Sequence, residues 1–271
     1  QTKLRARVGE REPARRVTVE SLVMRDADAI IVSTEEEKQD VVRLYDALPQ
    51  KVEVIPAGVN LDTFKPINKT IARQRVGIGE KQVILYVGRI EPLKGIDVLL
   101  EAAALLDGRD DISVLIVGGS PGNDAELDRL KALTIELGIE DMVTFTGAIK
   151  QNKLPDYYSA ADAFVLPSHS ESFGLAALEA MACGTPVVVS RVGGLKTFIN
   201  SGETGYLVPW RCPEPFAQRL EMLLANPDLR QAMGTAARAK ALQMGWGHAA
   251  DRMLEFYSSL MRDTWESAAG D

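Results

Sequence analysis

Seven short apolar runs, rich in β-branched residues, recur along the chain at Ala29–Ser33, Val52–Pro56, Val83–Gly88, Ser113–Gly118, Met142–Thr146, Ala163–Pro167 and Pro186–Ser190. Runs of this kind without polar alternation predict strands buried on both faces, as in a parallel sheet. Patterns of helical period lie between most of them. Asn123-Asp-Ala-Glu126 has the form of a capping box. Leu127, Leu130, Leu133 and Leu137 follow it at a spacing that lines one helical face. Repeated strand-helix units predict an α/β protein with an open, doubly wound parallel sheet and right-handed crossovers. Ligands of such sheets sit at the carboxyl ends of the strands, so the loops that follow strands are the places to look for chemistry.

The alternation breaks once. Residues 57–69 (AGVNLDTFKPINK) are turn-rich, and a fresh strand-helix series starts at Val83. The chain therefore divides into a domain tail at 1–56, a linker at 57–69 and a complete domain at 70–245. A last helical segment, 246–271, is set off by Gly245 and Gly247 and is expected to cross back to the first part. Residues 1–16 are polar and arginine-rich, with neither an initiator Met nor a signal-peptide pattern, and read as the interior of a longer chain.

Composition narrows the chemistry. With 271 residues, 46% hydrophobic and 25% charged, the chain can bury a globular core. A net charge of −7 gives no overall field favouring nucleic acid or an anionic membrane, so an anionic ligand needs a local group of cations. Two cysteines, Cys183 and Cys212, stand far apart, which excludes a disulfide framework and fits a reducing compartment; the cytoplasm is expected. Two histidines leave little room for histidine-based metal chemistry. No apolar run is long enough to span a bilayer.

Two loops carry candidate chemistry. In Gly88-Arg89-Ile-Glu-Pro-Leu-Lys94-Gly95 a strand gives way to a loop with two cations, and a helix begins near Ile96. Strand-loop-helix junctions bind phosphate through free amides and the helix dipole; a plain solvated loop is the alternative. The loop has neither G-x-G-x-x-G nor a P-loop sequence, which disfavours NAD and NTP hydrolysis. In the second, Ser168-His-Ser-Glu171-Ser-Phe-Gly174 joins a strand to the helix Leu175–Cys183, which closes on Gly184. Glu179 has apolar neighbours around most of that helix, and a carboxylate there needs partners. It serves either a structural contact or a diol, which donates two hydrogen bonds where a carboxylate accepts two. Glu171 lies beside the helix N-terminus, where the amides of Phe173, Gly174 and Leu175 could face an anion.

Glu171-x7-Glu179 with the glycine loop between them resembles the E-x7-E signature of the retaining GT-B glycosyltransferases of family GT4. Val54-Ile-Pro-Ala-Gly58-Val-Asn60, Gly88-Arg89 with Lys94-Gly95, Phe145-Thr-Gly147-Ala-Ile149, Gly184-Thr-Pro186 and Gly202-Glu-Thr-Gly205-Tyr-Leu-Val resemble further motifs of that family. The resemblance implies a nucleotide-sugar donor, with UDP favoured, a small-molecule acceptor, and no cofactor or metal. It implies that Arg89 and Lys94 neutralise the diphosphate, with Gly88 in the same substrate-binding loop. Ile149 would read the base through backbone groups, and Glu179 would hold the ribose. Glu171, Ser172 and the amides of Phe173, Gly174 and Leu175 would hold the sugar. Residues 1–56 would be the remnant of an acceptor domain, so that the chain mainly binds donor and transfers nothing by itself.

Glu12-Pro-Ala-Arg-Arg16, Ala27-Asp28, Thr34-Glu-Glu36 and Tyr45-Asp46 resemble the subgroup of sucrose-phosphate synthase and inositol-phosphate N-acetylglucosaminyltransferase. Its acceptors are phosphorylated, and Arg15 or Arg16 is a candidate for the acceptor phosphate; a solvated basic helix is the alternative. Asp26-Ala-Asp28 precedes a strand and reads as a helix end, not as a D-x-D metal motif. His169 could touch a sugar hydroxyl, but the sequence supplies no orienting partner for it. Trp246 and Trp265 are expected to pack the last helix. A GT-B nucleotide-sugar 2-epimerase and a non-catalytic nucleotide-binding relic are the competing functions.

Overall fold

The computed structural model of the protein describes residues 14–106, 110–119 and 124–269. Two parallel sheets are present among them. The smaller pairs β1 (Ile30–Val32) with β2 (Val52–Val54), Ile30 standing opposite Val52. Helix α1 (Ala14–Asp26) precedes it, and α2 (Glu35–Tyr45) makes the crossover. Thr34 explains where α2 starts. Its hydroxyl accepts from the amide of Glu37 at 3.0 Å, and the Glu37 carboxylate accepts from the amide of Ser33 at 2.9 Å. A cap of this kind stabilises a helix by about 1 kcal/mol. Val32, Val41, Ala47 and Val52 form a small core of their own.

The larger sheet has six strands, β3 (Gln82–Val87), β4 (Ile112–Val117), β5 (Val143–Gly147), β6 (Ala163–Leu166), β7 (Val187–Ser190) and β8 (Gly205–Val208). Their spatial order is β5-β4-β3-β6-β7-β8, and every pairing is parallel. Counted from its first strand, this is the 3-2-1-4-5-6 order of doubly wound nucleotide-binding sheets. Strand order reverses between β3 and β6, where Ile84 pairs with Ala163, so the crevice of the sheet opens over their carboxyl ends. The α/β class and the parallel sheet are those expected from the apolar runs.

Helices α3 (Lys69–Val76), α4 (Ile96–Ala104), α5 (Asp124–Glu136), α6 (Leu154–Ala160), α7 (Leu175–Ala182), α8 (Leu195–Phe198), α9 (Pro213–Ala225) and α10 (Pro227–Leu242) accompany this sheet. Successive residues Val83, Ile84, Leu85 and Tyr86 are all fully buried, so both faces of β3 are covered. Each such side chain contributes about 1.5–3 kcal/mol of transfer free energy. Leu130 is buried, and Leu127, Leu133 and Leu137 pack on the same core. Helix α7 ends as expected, with Gly184 just beyond it at φ 80°. β8 was not among the expected strands: its four residues begin with glycine and include a tyrosine, too short a run to stand out.

Asp162, at the start of β6, ties α3 to the sheet. Its carboxylate is only 4% exposed and accepts from Lys69 at 2.6 Å, Arg73 at 2.8 Å and the Val83 amide at 2.8 Å. Burial pushes the Lys69 ammonium below its ordinary pKa, against the opposing pull of Asp162. The turn-rich segment between β2 and α3 is anchored at both ends. Phe64 is buried edge-on to Tyr158, 6.0 Å between ring centres. The amide of Val59 donates to Met244 O at 2.9 Å, and its carbonyl accepts from the Trp246 amide at 3.2 Å. From there α11 (Trp246–Ala269) runs to the smaller sheet, and Arg252 donates to the carbonyl of Val54 at 2.8 Å. Trp246 departs from expectation. The residue is 52% exposed, and its backbone, pressed against Gly58, makes a close contact. Asn123 of the expected capping box, residues 1–13 with Glu12 of the subgroup motif, and the side chain of Trp265 lie outside the described residues.

Candidate active site

The two chemistry-bearing loops leave the sheet on either side of its reversal point, one after β3 and one after β6. They are bolted together: the amide of His169 donates to the carbonyl of Leu93 at 2.9 Å. Gly95 makes this approach possible. It turns the chain into α4 at φ 62°, and a Cβ there would collide with the carbonyl oxygen of Pro167. The consequence is an ion pair that neither loop could form alone. Lys94 Nζ donates to Glu171 Oε2 at 2.7 Å, with the two side chains only 15% and 14% exposed. Ser168, fully buried, donates to the same oxygen at 3.3 Å.

Arg89 stands differently. Its side chain is 64% exposed and pairs with Glu91 at 2.6 Å. Its carbonyl accepts from the Tyr86 hydroxyl at 2.8 Å, and burial raises the pKa of that phenol. Gly88 ends β3, its amide donating to Val117 O at 3.0 Å; a side chain there would press on the Tyr86 hydroxyl.

Helix α7 starts at Gly174, which adopts φ 97° and packs so tightly that a Cβ would collide with Leu195. Among the described residues, no hydrogen bond leaves the amides of Phe173, Gly174 or Leu175. Free amides at a helix start favour an anion or a polarised oxygen. Phe173 turns its ring into the core, 5.3 Å from that of Phe198, whereas Ser172 and Leu175 are exposed. Glu179, one turn further on, accepts from the buried hydroxyl of Tyr158 at 2.8 Å. Burial raises its pKa, while Tyr158 and the neighbouring Gln151 oppose the rise. Tyr158 was not anticipated as its partner. Ile149 follows β5 and packs partly on the core.

Between the two sheets lies a cavity of about 300 Å³. His169, Glu171 and Trp210 line one wall, with Thr34, Glu36 and Asp40 opposite, and Lys196 closes on Glu36 at 2.6 Å. Arg16 is not among its lining residues; it sits on α1, paired with Glu20 at 2.7 Å. The ring of His169 stands 5.8 Å from that of Trp210, and its buried Nε2 has no hydrogen-bond partner among the described residues. Burial and the charge of Arg211 lower its pKa.

The model of the family "Glycosyl transferases group 1" matches residues 68–240, the stretch that carries both loops. This chain belongs to that family. A D-inositol 3-phosphate glycosyltransferase of Streptomyces scabiei is 44% identical over 260 residues, covering 93% of this chain and 58% of that protein. Sucrose-phosphate synthase from Thermosynechococcus elongatus superposes with a TM-score of 0.87 at 34% identity, over 97% of this chain and 66% of that one. The C-terminal domain of a group 1 glycosyl transferase from Francisella tularensis superposes with a TM-score of 0.64 at 30% identity; it covers 69% of this chain and 97% of that domain. The fold is that of the Rossmann-like C-terminal domain of GT-B glycosyltransferases. The chain spans about 60% of the length of the curated relatives it matches, 58% and 60% for two of them. No described helix is long and apolar enough to cross a membrane.

Proposed function

We propose that this chain carries the donor half of a retaining glycosyltransferase, which moves a hexosyl group from a UDP-sugar to a hydroxyl of a phosphorylated polyol or sugar. One observation carries the reading: the fold brings Lys94, Glu171 and the free amides of residues 173–175 together at the reversal point of a nucleotide-binding sheet. In this reading residues 70–245 form the donor domain. Residues 1–56 belong to an acceptor domain completed by other sequence, and 246–271 link back to it.

Lys94 and Arg89 hold the diphosphate and stabilise the charge that grows on it as the glycosidic bond breaks. Fixed cations and amides supply this stabilisation without reorganising as the reaction proceeds. Glu179, already oriented by Tyr158, offers its carboxylate to the ribose diol. Glu171 and Ser172 meet hydroxyls of the donor sugar, and the backbone at Ile149 meets the base. The acceptor oxygen attacks on the face from which the diphosphate departs. Its proton passes to the departing phosphate oxygen, so that no side-chain base is required. Arg16 is the proposed contact for the acceptor phosphate. The chemistry of the relatives supports a phosphorylated acceptor, since their names specify inositol phosphate and sucrose phosphate.

Titration calorimetry of the chain with UDP, GDP and ADP tests the reading. UDP should bind, and Lys94→Met should weaken it more than Arg89→Met does, because Lys94 is shielded from solvent and Arg89 is not. Failure of every nucleoside diphosphate to bind the folded chain would overturn it.

A further inference from the structure

Along the carboxyl edge of the larger sheet, the proposed contacts fall in spatial order. Ile149 follows β5, the Arg89–Lys94 loop follows β3, and Glu171 follows β6. The edge does not end there. Two further strands, β7 and β8, extend it by about 10 Å at ordinary strand spacing. The loops after them supply Arg191 and Trp210 to the wall of the cavity that begins at Glu171. The donor reading leaves these residues without a role.

Trp210 is a large aromatic with 44% of its surface exposed, in a loop where a smaller residue would serve a turn equally well. The indole is held in place. The guanidinium of Arg211 lies 4.4 Å from the ring centroid, and the ring of His169 stands 5.8 Å away, tilted by 58°. Arg211 adopts φ 62°, uncommon for a residue with a side chain, and thereby sets its guanidinium over the ring. Trp210 lines the cavity, whereas Arg211, which braces the indole, is not among the lining residues. The acidic groups across the cavity are engaged: Glu36 with Lys196, Asp40 with Arg43, and Glu37 with the Ser33 amide. Arg191 lines the same cavity, exposed, and makes no ion pair among the described residues. A braced aromatic plane beside a free guanidinium suits a ring with an apolar C–H face and polar, preferably anionic, substituents at its rim.

We propose that Trp210 and Arg191 form a saccharide subsite beyond Glu171, with the indole as the platform for a sugar ring. The inference rests on the donor reading above and adds to it the residues that recognise the part of the ligand beyond the nucleotide. The ring can come from the donor sugar or from a phosphorylated acceptor, and the two sources are separable by experiment.

The test uses the chain and its Trp210→Ala, Trp210→Phe and Arg191→Ala variants. Calorimetry is run with UDP, with UDP-glucose, and with glucose 6-phosphate or inositol phosphate added to the UDP-saturated chain. Trp210→Ala should leave UDP affinity unchanged. It should weaken by about tenfold either the UDP-glucose complex, which assigns the platform to the donor sugar, or the sugar-phosphate complex, which assigns it to the acceptor. Trp210→Phe should recover most of the loss, because it restores an aromatic face. Arg191→Ala should leave UDP affinity unchanged and weaken the same complex that Trp210→Ala weakens. UDP affinity retained, with neither second complex altered by Trp210→Ala, would overturn the subsite and leave the donor reading standing. Absence of UDP binding in the unsubstituted chain would overturn both.

Discussion

The Lys94–Glu171 pair leads to an outcome that a simple count of ligand contacts would not give. Without ligand, the best-shielded cation of the proposed diphosphate site is already neutralised by a carboxylate 2.7 Å away. A phosphate oxygen arriving on the far side of Lys94 Nζ, at a charge-assisted hydrogen-bond distance of about 2.8 Å, stands about 5 Å from Glu171. At an effective dielectric of about 20, two like charges at that separation repel by about 3 kcal/mol. Solvent at the rim of the cavity reduces this to about 1–2 kcal/mol. Glu171→Gln removes that repulsion. The amide keeps the shape and can still accept from Ser168, so the loop keeps its path. UDP should therefore bind about 5–30 times more tightly to the variant, although a proposed site residue has been altered. A UDP-sugar should show the opposite trend, because Glu171 is proposed to accept from its hydroxyls, and its advantage over UDP should shrink or vanish. Calorimetry of both ligands on both proteins, at low and at moderate salt, reads this directly. Unchanged or weaker UDP binding in Glu171→Gln would show that Lys94 does not meet the diphosphate, and the electrostatic argument would fail.

Two further outcomes follow from buried carboxylates. Burial raises the pKa of Glu179 above its ordinary value. The folded chain then holds the proton more tightly than the unfolded chain does, and stability falls as pH rises from the ordinary carboxylate value through the raised one. Glu179→Gln should accordingly raise the melting temperature more at pH 7 than near pH 4.5, while weakening UDP; a gain independent of pH would refute the assignment. Asp162→Ala leaves Lys69, Arg73 and the Val83 amide without their shared acceptor. A loss of about 3–5 kcal/mol is expected by urea unfolding, and a loss below about 1 kcal/mol would show that the cluster relaxes into water.

The α/β class, the parallel sheet and the two loops were legible in the chain because each rests on local pattern. Apolar runs such as Val83–Val87 announce doubly covered strands, and Gly95 and Gly174 mark turns that tolerate positive φ. The family resemblance likewise lies in contiguous residues, 171–179 above all. β8 escaped because a four-residue strand starting with glycine carries almost no periodic signal. Arg191 and Trp210 escaped because each follows a strand whose place in the sheet the sequence does not state; only the order β6-β7-β8 brings their loops to the same cavity as Glu171. Tyr158 belongs to no motif in the sequence, and its hydroxyl gains meaning only when α6 and α7 pack together and set it 2.8 Å from Glu179. The sequence by itself determined which elements form and which residue types the loops carry, because propensity, patterning and turn chemistry act over a few residues. The tertiary structure alone decided that Lys94 neutralises Glu171 across 77 positions of chain, because that contact depends on two strands meeting where the order of the sheet reverses.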